Sequence, residues 1–172
     1  MKIPVFVSCP TSLNQKQDGS RAVLIQLLDR LNIEPRALGR SDYPAEFPLR
    51  EVLVIAHHCA GGVILGFEQF RATAGIWKRG TKDERRVPAK ESVCFPSPWN
   101  DLEAGILFGL GLPILIFKEE GISGGVFDNG VTDVFVHKMP SATPAPAEIE
   151  SLMQVFLKWY ARVSARYYDL SK

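Results

Sequence analysis

Two uninterrupted apolar runs restrict most strongly what this chain can fold into. Val63–Phe67 reads VILGF and Leu112–Phe117 reads LPILIF, with no charged residue in either run. Strands that are buried on both faces of a parallel sheet have this composition, whereas half-exposed strands alternate polar and apolar residues. Further apolar segments predict strands at Pro4–Ser8, Ile33–Leu38 and Val131–His137. The sequence therefore indicates five strands.

Segments with helical spacing of apolar residues separate these strands. The predicted helices begin at Ser20 as N-cap, at Pro48 (to Cys59), at Phe70 (to Trp77), at Trp99 (to about Gly109) and at Ala147 (to 169). Alternating strands and helices predict βαβ units and a mostly parallel sheet. We therefore expect residues 1–172 to form a single α/β domain. Its architecture would be a three-layer sandwich with a five-stranded sheet in the flavodoxin-like order 2-1-3-4-5.

Charge and composition exclude several classes of partner. The 172 residues carry a formal charge of +1, and no dense excess of Lys and Arg suggests a nucleic-acid partner. No apolar run reaches the roughly 18 residues of a membrane-spanning helix. The apolar run at the amino terminus is too short for a signal peptide. We expect no membrane association and a cytoplasmic location.

Two local clusters suggest sites but favour ordinary explanations. Lys78–Arg86 reads KRGTKDERR, which we interpret as a solvated loop, with a phosphate-binding patch as the alternative. His57, His58 and Cys59 are adjacent, and adjacent helical residues point about 100° apart, so they cannot converge on a metal. The odd cysteine count and wide spacing also argue against disulfides and a CxxC site. We expect no metal.

The ligand site of such a sheet lies beyond the carboxyl ends of its strands. In this chain the rule points to Ser8–Ser12, Gly39–Tyr43, Phe67–Phe70 and Pro96–Glu103. Within the last segment, Trp99 and Glu103 are spaced i,i+4 and share one face of a helix. An acid in the first turns of a helix also favours the helix start, so a purely structural role for Asp101 and Glu103 stays open.

Residues 99–117 carry a family resemblance. The pattern Trp-x-x-x-Glu, a helix of small and apolar residues and then GLPILIF resembles the catalytic segment of TIR domains. Glu103-Ala104-Gly105 is similar to the Glu-x-Gly helix of nucleoside 2-deoxyribosyltransferase-like proteins, and VFVS at 5–8 is similar to the first TIR strand. Both families share the flavodoxin-like architecture and cleave N-glycosidic bonds. The connection at 68–98 is longer than a typical TIR connection.

The resemblance implies an enzyme that cleaves the nicotinamide–ribose bond of NAD+, as a glycohydrolase or an ADP-ribosyl cyclase, in antiphage defence. NAD+ would be the substrate, and no cofactor is implied. Glu103 would stabilise or attack the sugar carbon in an oxocarbenium-like transition state. Asp101 is the nearest proton donor for a substrate that needs one.

Two alternatives stay open. One is a nucleoside or nucleotide N-glycosidase or 2-deoxyribosyltransferase. The other is a non-catalytic nucleotide-binding or assembly module. The resemblance also implies a homo-oligomer or a partner effector protein.

Candidate substrate-binding residues lie at the same edge. Hydroxyl groups there could hydrogen-bond a ribose or a phosphate, an arginine could pair with a phosphate, and aromatic rings could flank a base. Turn formation, surface exposure and core packing are the respective structural alternatives. The set is Ser8, Thr11, Arg40, Asp42, Phe67, Trp99 and Asn100.

Overall fold

A computed structural model of the chain describes residues 2–39 and 47–170. The helices are α1 (Gln15–Arg30), α2 (Pro48–His57), α3 (Pro98–Gly109) and α4 (Pro146–Leu170). The strands are β1 (Ile3–Ser8), β2 (Ile33–Arg36), β3 (Gly62–Gly66), β4 (Phe70–Ala72), β5 (Ile76–Trp77), β6 (Arg85–Arg86), β7 (Val93–Phe95), β8 (Ile114–Lys118) and β9 (Val136–Lys138).

Five of these strands form the central sheet, in the order β2-β1-β3-β8-β9. Every neighbouring pair is parallel. The observed order is the predicted 2-1-3-4-5, with β8 and β9 as the fourth and fifth strands. The α/β three-layer prediction is confirmed. None of the helices in the described ranges is long and apolar enough to cross a membrane.

The helices cover the two faces of the sheet in pairs. Leu24 of α1 and Phe156 of α4 pack into one core with Val5 and Val7 of β1. Val52 of α2 and other residues of α2 and α3 pack into a second core on the opposite face. Successive residues of a strand point to opposite faces, so Phe6 belongs to the second core and Ser8 points the same way. This alternation directs the Ser8 side chain toward α3.

The start of α1 differs from the prediction. The helix begins at Gln15, and Asn14 is its N-cap: Asn14 Oδ1 accepts from Gln17 N at 2.9 Å, and Gln17 Oε1 accepts from Asn14 N at 3.1 Å. Ser20, the predicted N-cap, is buried within the helix. The reciprocal capping box at 14–17 satisfies two backbone donors and outweighs the poor apolar periodicity of the first turn.

The segment predicted as a helix at Phe70–Trp77 contains strands instead. Strands β4 and β7 pair antiparallel, and β5 and β6 form a second antiparallel pair farther out. We call residues 70–95 the ribbon. Its aromatic residues pack on one another across the strands, with ring centroids 6.2 Å apart for Phe70–Phe95 and 5.7 Å for Trp77–Phe95. Cross-strand aromatic contacts of this kind favour paired strands over a single exposed helix.

A short 3-10 helix at Gly125–Phe127 packs against the carboxyl end of β3. Phe127 is fully buried, and a Cβ on Gly66 would collide with its ring. Gly105 in α3 has open space around the position of a Cβ. The two glycines therefore differ in the room they leave for a methyl group.

This difference predicts opposite effects of the same substitution. Gly66→Ala should destabilise the fold by about 1–3 kcal/mol, because the buried ring has to move. Gly105→Ala should stabilise it by about 0.5–1 kcal/mol, since alanine restricts the unfolded chain and favours helix. Urea unfolding followed by circular dichroism measures both changes. Equal effects of the two substitutions would contradict the packing of Phe127 on β3.

Candidate active site

A cavity of about 360 Å³ lies at the carboxyl ends of β1 and β3, on the side of α2 and α3. The loop after β1, the residues after β2 and the first turns of α2 and α3 contribute to its walls. Glu103 and Trp99 both line it, as their i,i+4 spacing predicts. The volume lies toward the small end of ligand sites, which span roughly 300–1,000 Å³.

The N-cap of α3 and the face that this helix buries together place Glu103 at the cavity. Ser97 is the N-cap, and its hydroxyl accepts from Trp99 N at 3.3 Å. The buried residues of the helix are Asn100, Glu103, Ala104 and Leu107. This i, i+3, i+4, i+7 pattern turns one helix face to the sheet, with its polar members at the end nearest the strand ends.

Ser8 connects Glu103 to Asn100. Asn100 Nδ2 donates to Ser8 Oγ at 2.7 Å and to the carbonyl of Leu65 at 3.4 Å. Because the amide nitrogen can only donate, Ser8 Oγ is the acceptor there, and its own proton is available for the hydrogen bond with Glu103. Ser8 is fully buried, so these side chains hold its hydroxyl without access to solvent.

Burial dominates the protonation of Glu103. The side chain is only 8% exposed, and burial raises its pKa from the ordinary 4.5 to about 7. The hydrogen bond from Ser8 acts in the opposite direction and lowers the pKa. Near neutral pH, Glu103 therefore exists as a mixture of carboxylic acid and carboxylate. Perturbed carboxyl groups in clefts are concentrated at functional sites.

The raised pKa predicts that Glu103 destabilises the fold at high pH. The contribution of Glu103 to the free energy of unfolding is fully present below about pH 4.5 and is lost as the pH rises through about 7. Glu103→Gln removes the titration, so the variant should gain up to about 3 kcal/mol over wild type near pH 8 and almost nothing near pH 4. Urea unfolding across this pH range measures the difference.

The exposed Glu91 provides the control. Glu91→Gln removes one exposed carboxylate and should change the free energy of unfolding by no more than about 0.5 kcal/mol. A Glu103→Gln effect that is independent of pH would show that Glu103 does not titrate near neutrality.

The Ser8 hydrogen bond makes a separate prediction. Ser8→Ala removes the contact that stabilises the Glu103 carboxylate, so the pKa of Glu103 should rise further above about 7. Carbon-detected NMR titration of glutamate-labelled protein measures it, with Glu103→Gln to assign the signal. Ser12→Ala, on the same cavity loop, should leave the midpoint in place. An unchanged midpoint in Ser8→Ala would contradict the described geometry.

The other predicted site residues differ in where they lie relative to the cavity. Thr11 and Asn100 line the cavity with Trp99, whose side chain is partly exposed. Phe67 is fully buried in the core shared with α1 and α4, which matches its structural alternative. Arg40 and Asp42 lie outside the described residues.

Asp101 has a different environment from Glu103. Its Oδ1 accepts from Val126 N at 3.0 Å, and the residue is exposed. Asp101 does not line the cavity formed by the described residues. Its contact holds the 3-10 helix against α3, which is the structural alternative that the sequence left open. Residues two apart on a helix point in different directions, so Asp101 and Glu103 do not converge.

The residues after β3 include a cavity residue that sequence reasoning did not single out. Gln69 lines the cavity, and its backbone N donates to Phe95 O at 2.9 Å. Its position directly after a predicted central strand is the signal that could have identified it.

The preceding residue, Glu68, accepts two hydrogen bonds from Arg71, at 2.9 and 2.6 Å. The hydrogen bonds from Arg71, together with one from Cys94, lower the pKa of Glu68.

Glu119 anchors this segment to the sheet. Its Oε2 accepts from Glu68 N at 2.7 Å and from Gln17 Nε2 at 2.9 Å. These side chains border a larger cavity of about 540 Å³ beside the start of α1. Glu68 and Glu119 there are hydrogen-bond acceptors. Glu103, in contrast, is buried, and burial strongly raises its pKa. We therefore take the Glu103 cavity as the candidate active site.

No cluster of metal-ligating side chains stands out in residues 2–39 and 47–170. No group of three His, Cys, Asp or Glu residues there could hold a metal ion. His58 Nδ1 lies 2.8 Å from the carbonyl of Val54 on its own helix. Cys9, Cys59 and Cys94 form no disulfide bond within the described residues.

Comparison with known proteins finds no family model, curated protein or solved structure that matches this chain. The family resemblance of residues 99–117 is therefore a statement about sequence pattern alone.

Proposed function

We propose that this protein cleaves the N-glycosidic bond between nicotinamide and ribose in NAD+. The observation that carries the proposal is the Glu103 carboxyl group at the wall of a cavity beyond the strand ends. The hydrogen bond from Ser8 favours its charged form against the effect of burial. A buried carboxylate is suited to stabilising positive charge on a substrate, because a low dielectric strengthens their attraction.

The reaction requires little from the protein beyond this charge. The bond between the anomeric carbon and the ring nitrogen breaks, and its electron pair neutralises the cationic nicotinamide ring. The sugar carbon becomes oxocarbenium-like, and the Glu103 carboxylate stabilises it or attacks it. Water then adds to the carbon and releases a proton, giving ADP-ribose. In a cyclase, a nucleophile within ADP-ribose takes the place of water.

The number of acids favours NAD+ over an ordinary nucleoside. A neutral base leaves as an anion unless it is protonated, so its cleavage needs a general acid as well as a stabilising carboxylate. Glu103 is the one carboxylic acid among the described residues that line the cavity. Asp101, the proposed second acid, is hydrogen-bonded to Val126 N. Nicotinamide leaves as a neutral molecule without protonation, so one carboxylate is sufficient.

The cavity walls suit the reacting end of the substrate. The partly exposed Trp99 offers an aromatic face for the nicotinamide ring, and Gln69 and Thr11 offer polar groups for the ribose. The TIR resemblance extends the proposal to a role in antiphage defence. In that role, this chain would assemble into a homo-oligomer or bind an effector protein.

Release of nicotinamide from NAD+ tests the proposal. Wild-type protein, assayed at several concentrations so that assembly is sampled, should produce nicotinamide measured by chromatography. Glu103→Gln should lower the rate by about a hundredfold or more, because it removes the charge that stabilises the transition state. Asp101→Asn and Glu91→Gln should retain the wild-type rate.

The outcomes separate the three functions. Turnover of deoxynucleosides with an acceptor base, and none of NAD+, would support an N-glycosidase or deoxyribosyltransferase. Nucleotide binding without turnover at any concentration would support a binding or assembly module. NAD+ cleavage that Glu103→Gln leaves unchanged would contradict the site assignment.

A further inference from the structure

The larger cavity beside the start of α1, of about 540 Å³, is separate from the Glu103 cavity. The first turns of α1 form one wall, and residues at or after the carboxyl ends of β3, β8 and β9 form much of the rest. The two cavities have no described lining residue in common. We call it the α1 cavity, and its charged lining residues are Lys16, Glu68, Arg71, Glu119, Glu120 and Lys138.

These six charges leave one base and one acid without an ion-pair partner. Two pairs account for four of the charges: Glu68 with Arg71 at 2.6 Å and Glu120 with Lys138 at 3.9 Å. Lys16 and Glu119 form no ion pair with each other or with any other residue in the described part of the chain. The cavity therefore offers one unpaired positive charge and one unpaired negative charge to a ligand.

Glu119 has one carboxylate oxygen to spare. Its Oε2 accepts from Glu68 N and Gln17 Nε2, which are both neutral donors. Its Oε1 accepts no hydrogen bond from residues 2–39 or 47–170. Because an ionised carboxylate accepts hydrogen bonds at both oxygens, Glu119 can bind a cationic donor and keep the contacts that hold it in place.

Ser20 is a buried polar group of the same cavity. It lies three residues after Gln17 and four after Lys16, so helical geometry places its side chain beside both. The residue is only 4% exposed and lines the cavity, and its hydroxyl makes no hydrogen bond within the described ranges. A buried hydroxyl without a partner is unfavourable, and a polar group of a ligand would supply the partner.

The position of Lys16 favours an anionic group at its end of the cavity. Lys16 lies in the first turn of α1, a helix of 16 residues. The backbone N–H groups and the dipole of a helix start attract negative charge, and the Lys16 ammonium adds to this attraction. Because the side chain is exposed, it can move toward a ligand. Glu119 in turn favours a cationic group.

We propose that the α1 cavity binds a free amino acid, with the ammonium group at Glu119 and the carboxylate at Lys16. Ser20 hydrogen-bonds the bound molecule between these two charges. Glu120 and Lys138 are highly exposed at the rim and offer an acceptor and a donor, which suits a neutral carboxamide side chain. The cavity volume lies within the range of ligand sites, roughly 300–1,000 Å³. This site does not depend on the proposed cleavage of NAD+.

Binding of L-glutamine at pH 7, measured by isothermal titration calorimetry, tests the site. N-acetyl-L-glutamine lacks the ammonium group, and L-glutaminamide lacks the carboxylate. Each of these blocked forms should bind wild-type protein about tenfold more weakly or worse, because one charge-assisted contact is lost. Inorganic phosphate, which is an anion only, should not compete with L-glutamine.

Two variants assign the charges of the ligand to their partners. Glu119→Gln keeps an oxygen for the existing hydrogen bonds but removes the charge. It should weaken L-glutamine binding by about tenfold or more and remove the preference for L-glutamine over N-acetyl-L-glutamine. Lys16→Gln should weaken binding by about threefold or more and remove the preference over L-glutaminamide, a smaller effect because Lys16 is exposed.

Glu150 and Lys158 of α4 provide matched controls, since both are exposed and outside the cavity. Glu150→Gln and Lys158→Gln should leave the affinity for L-glutamine within about twofold of wild type. Circular dichroism checks that each variant is folded. If Glu119→Gln does not fold, the comparison of the three ligands on wild-type protein and on Lys16→Gln still decides the question.

Four results would overturn the proposal. They are absence of binding of L-glutamine, L-alanine and glycine to wild-type protein, equal affinity for L-glutamine and its two blocked forms, equal weakening by the control variants, and displacement of L-glutamine by phosphate, which would indicate an anion site. None of these results bears on the release of nicotinamide, so the amino-acid site and the NAD+ cleavage proposal can fail separately.

Discussion

The buried hydroxyl of Ser8, which accepts a hydrogen bond from Asn100 and lowers the pKa of Glu103, provides the interaction on which the candidate site depends. It joins the last residue of β1 to the first two turns of α3, and both partners of Ser8 lie on the buried face of that helix. The amide of Asn100 fixes Ser8 as an acceptor and leaves its single proton for Glu103. One buried hydroxyl therefore both positions the acid and opposes the rise in its pKa that burial causes.

Two polar groups of this arrangement lower the stability of the fold. A carboxyl group with a pKa of about 7 is poorly hydrated in the folded state, and its charged form destabilises the fold. Asn100 adds a second destabilising feature, because its Oδ1 is buried without a hydrogen bond to the described residues. Core packing by Ala104 and Leu107 on the same helix offsets these penalties. Unfavourable polar groups of this kind are few in folded proteins and need an explanation, and the proposed function offers one.

The ribbon is attached to the site through a polar network at the end of β3. Glu68 accepts two hydrogen bonds from Arg71 of β4, and the backbone N of Gln69 donates to Phe95 O of β7, so these two adjacent residues hold both strands at the ribbon base. Glu119 in turn holds the backbone of Glu68. Because Gln69 follows directly, the network that fixes the ribbon also fixes a wall of the cavity. The long connection at 68–98 therefore helps to form the candidate site.

The sequence alone determined the sheet and the position of the candidate acid. Continuous apolar runs occur where strands are buried on both sides, so Val63–Phe67 and Leu112–Phe117 revealed central parallel strands and the edge at which Glu103 lies. Local pattern could not reveal which polar residues converge. The sequence singled out Glu103 by its spacing from Trp99, but only the packing of α3 on the sheet shows that Glu103 is buried and Asp101 is exposed. The antiparallel ribbon and the Ser8–Asn100 contact likewise join residues far apart in the chain, and tertiary structure decided them because hydrogen bonds and pKa shifts depend on neighbours in space.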